Sequence, residues 1–239
     1  MADPADYLAE RRDDVHAESP WSQFGYASRQ LREVVRDFVD ATGLEPGAGV
    51  LDYGCAASPY RTMLPPAVDY VGADLPGNEA ADVVLRSDGA VPLPDRSFEL
   101  VLSTQVLEHV EHPVLYLEEC HRLLTTSGSL ILSTHGIMYY HRDPEDYWRW
   151  TRVGLEKLLG ECGFTVVEMR GVLAMAAAAI QIFQDATMWK VPRPLKPAYA
   201  AAMQGLIGFV DNRYEEPLRL ENCLTIAVRA VKSGSVLTR

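Results

Sequence analysis

The stretch Val50-Leu51-Asp52-Tyr53-Gly54-Cys55-Ala56-Ala57-Ser58-Pro59-Tyr60 constrains the fold more than any other part of the chain. An apolar run ends in an acid, a turn almost without side chains follows, and Ser58-Pro59 then suits a helix start. Serine accepts from the free amides of a first helical turn, and proline at the first helical position has no amide to leave unpaired. The pattern predicts strand, turn, helix. Gly54, Ala56 and Ala57 let a flat ligand approach the backbone, and a helix start beside them favours a carboxylate or phosphate. A dinucleotide site would want Gly-x-Gly-x-x-Gly and an acid about 20 residues on. Here Gly54 stands alone, with Ala56 and Pro59 at the other two glycine positions, while Asp74 supplies the acid. The acid fits either ligand class; the lost glycines weaken the dinucleotide one.

Downstream, strands are expected at Tyr70–Asp74, Asp82–Leu85, Phe98–Ser103, Ser129–Ser133, Phe164–Met169 and Cys223–Val231. Between them fall helical patterns: Pro113 to the Ser127-Gly128 stop, Thr151 to Cys162, Gly171 to Lys190, and Ala198 to Val210. Strands alternating with helices at this spacing predict a largely parallel sheet covered on both faces, with ligands beyond the carboxyl ends of the strands. Residues 1–45 read as an N-terminal helical or lid segment. It has a weak helical pattern from Ala5 to Glu18, a stronger one through Leu31, Val34, Val35, Phe38 and Val39, and an aromatic loop at Trp21, Phe24 and Tyr26 between them. Residues 46–239 read as one domain with a helical insert at about 171–217, a face suited to capping the site or to self-association.

The net charge of −11, from 33 acids and 22 bases, repels a phosphate backbone and argues against nucleic-acid binding. Cys55, Cys120, Cys162 and Cys223 are too widely spaced for a zinc site and read as reduced, buried thiols. The start Met1-Ala2-Asp3-Pro4 lacks the basic and apolar regions of a secretion signal. The longest apolar run, Val172–Ile180, is too short to cross a bilayer. A cytoplasmic location is the default expectation.

Five motifs then occur in order: Leu51-Asp52-x-Gly54-Cys55; Gly72-Ala73-Asp74; Ser87-Asp88-Gly89; Leu93-Pro94-x-x-Ser97-Phe98-Glu99-Leu100-Val101; and Val106-Leu107-Glu108-His109-Val110. Together they resemble the class I S-adenosylmethionine-dependent methyltransferases, in the branch with Leu-Glu-His after strand four. The resemblance covers about residues 48–170 and the last strand. It implies a Rossmann-like α/β fold: a seven-stranded, mostly parallel sheet with an antiparallel last strand. It also implies S-adenosylmethionine as cofactor. Gly54, Cys55 and Ala56 would face its methionine end, with Asp52 in the hydrogen-bond network there and Gln105 lining the same side. Asp74, followed by Leu75, would accept from the ribose hydroxyls, and Asp88 with the amide of Gly89 would read the adenine. The family's second and third turn glycines stand here as Ala56 and Ser58. Glu108-His109 reads as a structural link.

Methyl transfer to a hydroxyl needs in-line placement and a base. The loop after strand five, His135 to Trp150, is the richest source. His141 is the first candidate, because imidazole titrates near neutral pH, and His135 the second. Asp143 or Asp146 would orient the histidine or hold a divalent ion, so a requirement for Mg²⁺ stays open. Tyr139, Tyr140, Tyr147 and Trp148, with Arg142, offer aromatic faces and charged edges that suit a sugar; aromatics also pin loops to cores. The string His141-x-x-Pro144-x-Asp146-Tyr147-Trp148-Arg149-Trp150-Thr151 resembles bacterial methyltransferases of sugar and polysaccharide modification, including actinobacterial ones acting on mannose-containing glycans. The expectation is therefore O-methylation of a sugar or oligosaccharide. The alternatives are a small aromatic or polyketide acceptor, a nicotinamide-dependent oxidoreductase, and a cofactor-binding scaffold without activity.

Overall fold

A computed structural model describes residues 19, 21–142 and 144–234. The weak pattern from Ala5 to Glu18 lies outside these, as does Asp143. Seven strands form one sheet in the order β3-β2-β1-β4-β5-β7-β6. They are β1 (Gly49–Tyr53), β2 (Asp69–Asp74), β3 (Val83–Val84), β4 (Phe98–Thr104), β5 (Leu124–His135), β6 (Phe164–Ala174) and β7 (Cys223–Lys232). β1 to β5 pair in parallel, and β7 runs antiparallel to both β5 and β6. The order turns back at β1 and β4, and a ligand crevice opens at such a point beyond the strand ends.

Side chains along the central strands alternate between two apolar clusters, one per face, as the two-residue strand period requires. Leu51, Val101, Leu130 and Leu132 pack with Leu117 and Cys120 of α2 (Pro113–Leu123) and with Leu155 and Leu159 of α3 (Arg152–Glu161). On the opposite side Val50, Leu100, Leu102 and Ile131 pack with Val35 and Phe38 of α1 (Gly25–Asp40). Ala177 of α4 (Met175–Met188) and Ile207 of α5 (Lys196–Asp211) join the same cluster. A short α6 (Glu216–Glu221) leads into β7. The Thr151 hydroxyl caps α3 by accepting from the Gly154 amide, as its sequence predicts. All four cysteines are free and buried.

Three elements depart from the sequence reading. No α-helix follows β1. The chain makes only a 3₁₀ turn at Arg61–Met63, because Pro65-Pro66 comes too soon after Pro59 to leave room for a full helix. Ser127-Gly128 does not end a helix. α2 stops at Leu123, and Phe98 pairs with Leu124 but Leu100 with Ser129, so these residues belong to a bulge in β5. The helix expected from Gly171 begins at Met175, since Val172 and Ala174 still pair with Thr225 and Cys223 of β7.

A buried polar cluster ties the segment before α1 to the helices between β6 and β7. The Gln23 carbonyl accepts from Gln181 (3.0 Å) and Gln204 (2.8 Å), and the Asp185 carboxylate accepts from Gln23. Tyr139, on the loop after β5, donates to the same Asp185 at 2.7 Å. Phe24 and Tyr26 are buried, while Trp21 is exposed. Phe183, Trp189, Leu195 and Phe209 of the helical region are also exposed.

Candidate active site

A cleft of about 1190 Å³ opens beyond the carboxyl ends of β1, β2, β4 and β5. Of the residues singled out by sequence it is lined by Gly54, Cys55, Ala56, Asp74, Leu75, Asp88, Gly89, Gln105, His135, His141 and Tyr147. Asp52, Asp146, Tyr139, Tyr140, Arg142 and Trp148 are not among its lining residues.

The turn after β1 is shaped by backbone conformation. Gly54 has φ +84°, and a Cβ there would come 2.5 Å from Cγ2 of Val106, a stiff side chain with nowhere to go. Ala56 and Ser58 stand at φ 45° and 55°, the left-handed region that glycine enters freely. The two family glycines are therefore replaced in side chain but not in backbone, at a cost of about 1 kcal/mol or more each. Gly54→Ala adds a misplaced methyl to this turn and should lower stability by about 1–2 kcal/mol, read by urea denaturation.

Asp74, at the end of β2, is fixed by three donors. The Ala56 amide reaches Oδ2 at 2.8 Å, Asn78 Nδ2 reaches it at 2.7 Å, and the Leu75 amide reaches Oδ1 at 2.7 Å. Asp52 sits below the turn, almost fully buried. Its Oδ2 accepts from the Tyr70 hydroxyl at 2.8 Å and its Oδ1 has no partner. Burial pushes its pKa up to about 6, against the pull of the Tyr70 hydrogen bond. Asp88 accepts from the Ala90 amide at 3.0 Å, and the Gly89 amide donates to the Arg86 carbonyl at 2.9 Å, so that amide closes its own turn. Gln105, in the left-handed conformation at φ 57°, donates from Nε2 to Ser133 Oγ at 3.1 Å.

Three imidazoles meet at the far wall of the cleft. The ring centroids of His109, His135 and His141 lie 5.7 to 6.3 Å apart. Beneath them Glu108 is fully buried, its Oε2 accepting from Thr134 at 2.8 Å. Glu108 Oε1 lies 3.3 Å from His135 Nε2 without a hydrogen bond, and His135 Nδ1 also lacks a partner. Burial pushes the Glu108 pKa up to about 7, offset in part by its own backbone amide, Thr134 and Arg149. Burial also drives His135 well below the usual imidazole range, with Arg149 and the two other imidazoles adding to it.

Glu108-His109 is thus part of the site wall, where sequence reading made it a structural link. The signal was present in the motif, but nothing local says which way its side chains turn. Phe24, of the loop read as a possible lid, also lines the cleft, as do Leu31 and Arg32, which went unremarked as site residues. The post-β5 loop mostly holds itself. Asp146 accepts from the His141 main-chain amide and from Arg149, each at 2.6 Å. Burial favours the neutral acid at Asp146, but those bonds outweigh it and hold the carboxyl below its usual range. Arg142 pairs with Glu145, Trp148 donates to the Val110 carbonyl at 2.7 Å, and Tyr140 faces solvent. Among the described residues no cluster of His, Cys, Asp and Glu is arranged to hold a metal ion, and no helix is long and apolar enough to cross a membrane.

Residues 26–169, spanning α1 to β6, match the family described as "Methyltransferase domain". The chain belongs to the S-adenosylmethionine-dependent methyltransferases. Over 128 residues this methyltransferase is 31% identical to a Mycobacterium tuberculosis protein named "Probable S-adenosylmethionine-dependent methyltransferase", across 51% of this chain and 44% of that one. It is 29% identical over 128 residues to the ubiquinone biosynthesis O-methyltransferase of Roseobacter denitrificans, across 45% of this chain and 48% of that one. The matches span under half the length of these curated relatives.

Solved structures share the fold at low identity. Phosphoethanolamine N-methyltransferase 2 of Haemonchus contortus, in complex with S-adenosyl-L-methionine, superposes with TM-score 0.58 at 14% identity, over 98% of this chain and 60% of that one. The YcgJ protein of Bacillus subtilis gives 0.55 at 15%, over 87% and 100%. The [4+2]-cyclase SpnF gives 0.56 at 17%, over 85% and 82%, so this fold by itself does not decide the reaction.

The cleft fits the family cofactor. A carboxylate fixed by donors at a strand end, beside a cleft-lining turn of small residues, suits a ribose and a flat adenosine. When bound, S-adenosylmethionine supplies an electrophilic methyl group.

Proposed function

We propose that this methyltransferase moves the methyl group to a hydroxyl on a small, largely apolar acceptor such as a phenol or polyketide, with a histidine taking the proton. Asp74 holds the ribose, the Gly54–Ala56 turn admits the methionine end, and Asp88 lies on the adenine side. The observation that carries the reading is the convergence of His109, His135 and His141 on one wall of the cleft. An amine or thiolate acceptor needs less of a base than a hydroxyl does. The ubiquinone-biosynthesis O-methyltransferase among the relatives points the same way.

Phe24, Leu31, Met138, Val172 and Leu224 give the cleft an apolar contribution, beside Ser28, Arg32 and Thr225. The glycan reading rested on loop residues that are occupied elsewhere: Tyr139 is bonded to Asp185, Trp148 to Val110 and Arg142 to Glu145. Only Tyr147 of that set lines the cleft, so the apolar acceptor is favoured over the sugar. Methyl-label transfer to a panel of phenols, mannosides and primary amines tests this. The phenols should turn over at least tenfold faster in kcat/KM; faster transfer to mannosides or amines rejects the acceptor class.

A further inference from the structure

We infer that His109 is the general base, acting through Nε2. The inference rests on the O-methyl transfer proposed above and names the group that receives the proton. His109 lines the cleft, and its Nδ1 is hydrogen-bonded to the main-chain carbonyl of Glu145. A carbonyl oxygen only accepts, so in the neutral ring Nδ1 carries the hydrogen and the lone pair sits on Nε2. The tautomer is thereby set before any acceptor arrives.

The contact belongs to a two-way strap. The carbonyl of Glu108 accepts from the amides of Tyr147 and Trp148 at 2.9 and 3.2 Å, while His109 reaches back to Glu145. Residues 108–109 and 145–148 fix one another, and the ring is held in place with them.

His135 is less suited. It is only 5% exposed, and burial beside Arg149 opposes taking up a proton. His141 is held to Asp146 through its main-chain amide. In the step, the acceptor oxygen bonds the methyl carbon as the carbon–sulfur bond breaks and its electron pair goes to sulfur. The hydroxyl proton passes to His109 Nε2 and from there to water. The products are the methyl ether, S-adenosylhomocysteine and the proton.

His109→Asn is the informative variant. Asparagine can still donate to the Glu145 carbonyl from about the position of Nδ1, but it has no basic nitrogen at the position of Nε2. We expect kcat on the best phenol to fall about 10²–10⁴-fold, with the melting temperature unchanged and S-adenosylhomocysteine affinity within twofold of the parent. An asparagine variant as fast as the parent overturns the assignment and leaves His109 a strap residue. Nitrogen NMR of the parent protein, labelled in histidine and saturated with S-adenosylhomocysteine, gives a second readout that needs no acceptor. A pyrrole-like Nδ1 and a pyridine-like Nε2 are expected for His109, and the reverse pattern overturns the inference. Failure of the underlying reading looks different: the parent protein itself would leave phenols unmethylated, whatever the state of His109.

Discussion

Replacing Asp74 with alanine should weaken S-adenosylhomocysteine binding about 100-fold, by calorimetry on folded protein. The carboxylate holds about four acceptor positions, and three are already taken by Ala56, Leu75 and Asn78. One strong hydroxyl contact at Oδ1 remains without displacing Asn78, so a second ribose hydroxyl binds Asp74 only if Asn78 moves. A hydrogen bond to a charged acceptor contributes about 1.5–3 kcal/mol. The alanine variant also strips the Ala56 and Leu75 amides of their shared acceptor, which loosens the turn that carries Gly54. The two effects together come to about 3 kcal/mol, a factor of about 100. Asp74→Asn should not restore binding. One of the two carboxylate oxygens becomes an NH₂ group, and a backbone amide donor then faces another donor. A folded alanine variant that binds within threefold of the parent would remove Asp74 from the cofactor site.

The cofactor half of the cleft was legible because its parts are local. Gly54, Asp74 and Asp88 sit at strand ends and turns, and their spacing along the chain already places them on one edge of a parallel sheet. Asp52 shows the limit of that logic. Asp52 is buried, accepts from the Tyr70 hydroxyl, and is not among the residues that line the cleft, none of which its place in the motif specifies. The acceptor half was much less legible. An aromatic residue in a loop reads the same whether it faces a ligand or the scaffold. Tyr139 is claimed by Asp185, 46 residues later, and Trp148 by a carbonyl 38 residues earlier. Those pairings depend on tertiary packing, which pattern does not encode. Glu108 and His109 were visible as a motif, but their role depends on the Glu145 carbonyl and on burial, both supplied by a loop some 36 residues on. The helix misread after β1 is a different case. Ser58-Pro59 is a sound start signal, and Pro65-Pro66 overrides it.

Glu108→Gln should change how stability depends on pH by about 3 kcal/mol between pH 4.5 and pH 7.5, in favour of the variant at the higher pH. Burial raises the Glu108 pKa from its ordinary 4.5 to about 7. Between those values the unfolded chain gives up the proton while the folded protein keeps it, so stability falls as pH rises. Below pH 4.5 both states are protonated and the contribution is fully present; above about 7 it is gone. A difference of about 2.5 pKa units corresponds to about 3 kcal/mol. His135 opposes this slope. Its depressed pKa means the unfolded chain takes up a proton below about 6.5 that the folded protein refuses, so its contribution is lost as pH falls. Glutamine keeps an acceptor for Thr134 and cannot ionise, so the variant should gain stability relative to the parent as pH rises from 4.5 to 7.5, while His135 titrates in both proteins. Asp52, raised to about 6, remains in both proteins and drops out of the comparison. Urea denaturation of the two proteins at pH 4.5, 6 and 7.5 measures the difference directly. Parallel profiles would mean that Glu108 is ionised throughout, and that the buried carboxyl under the histidine cluster has a compensating charge or water beside it.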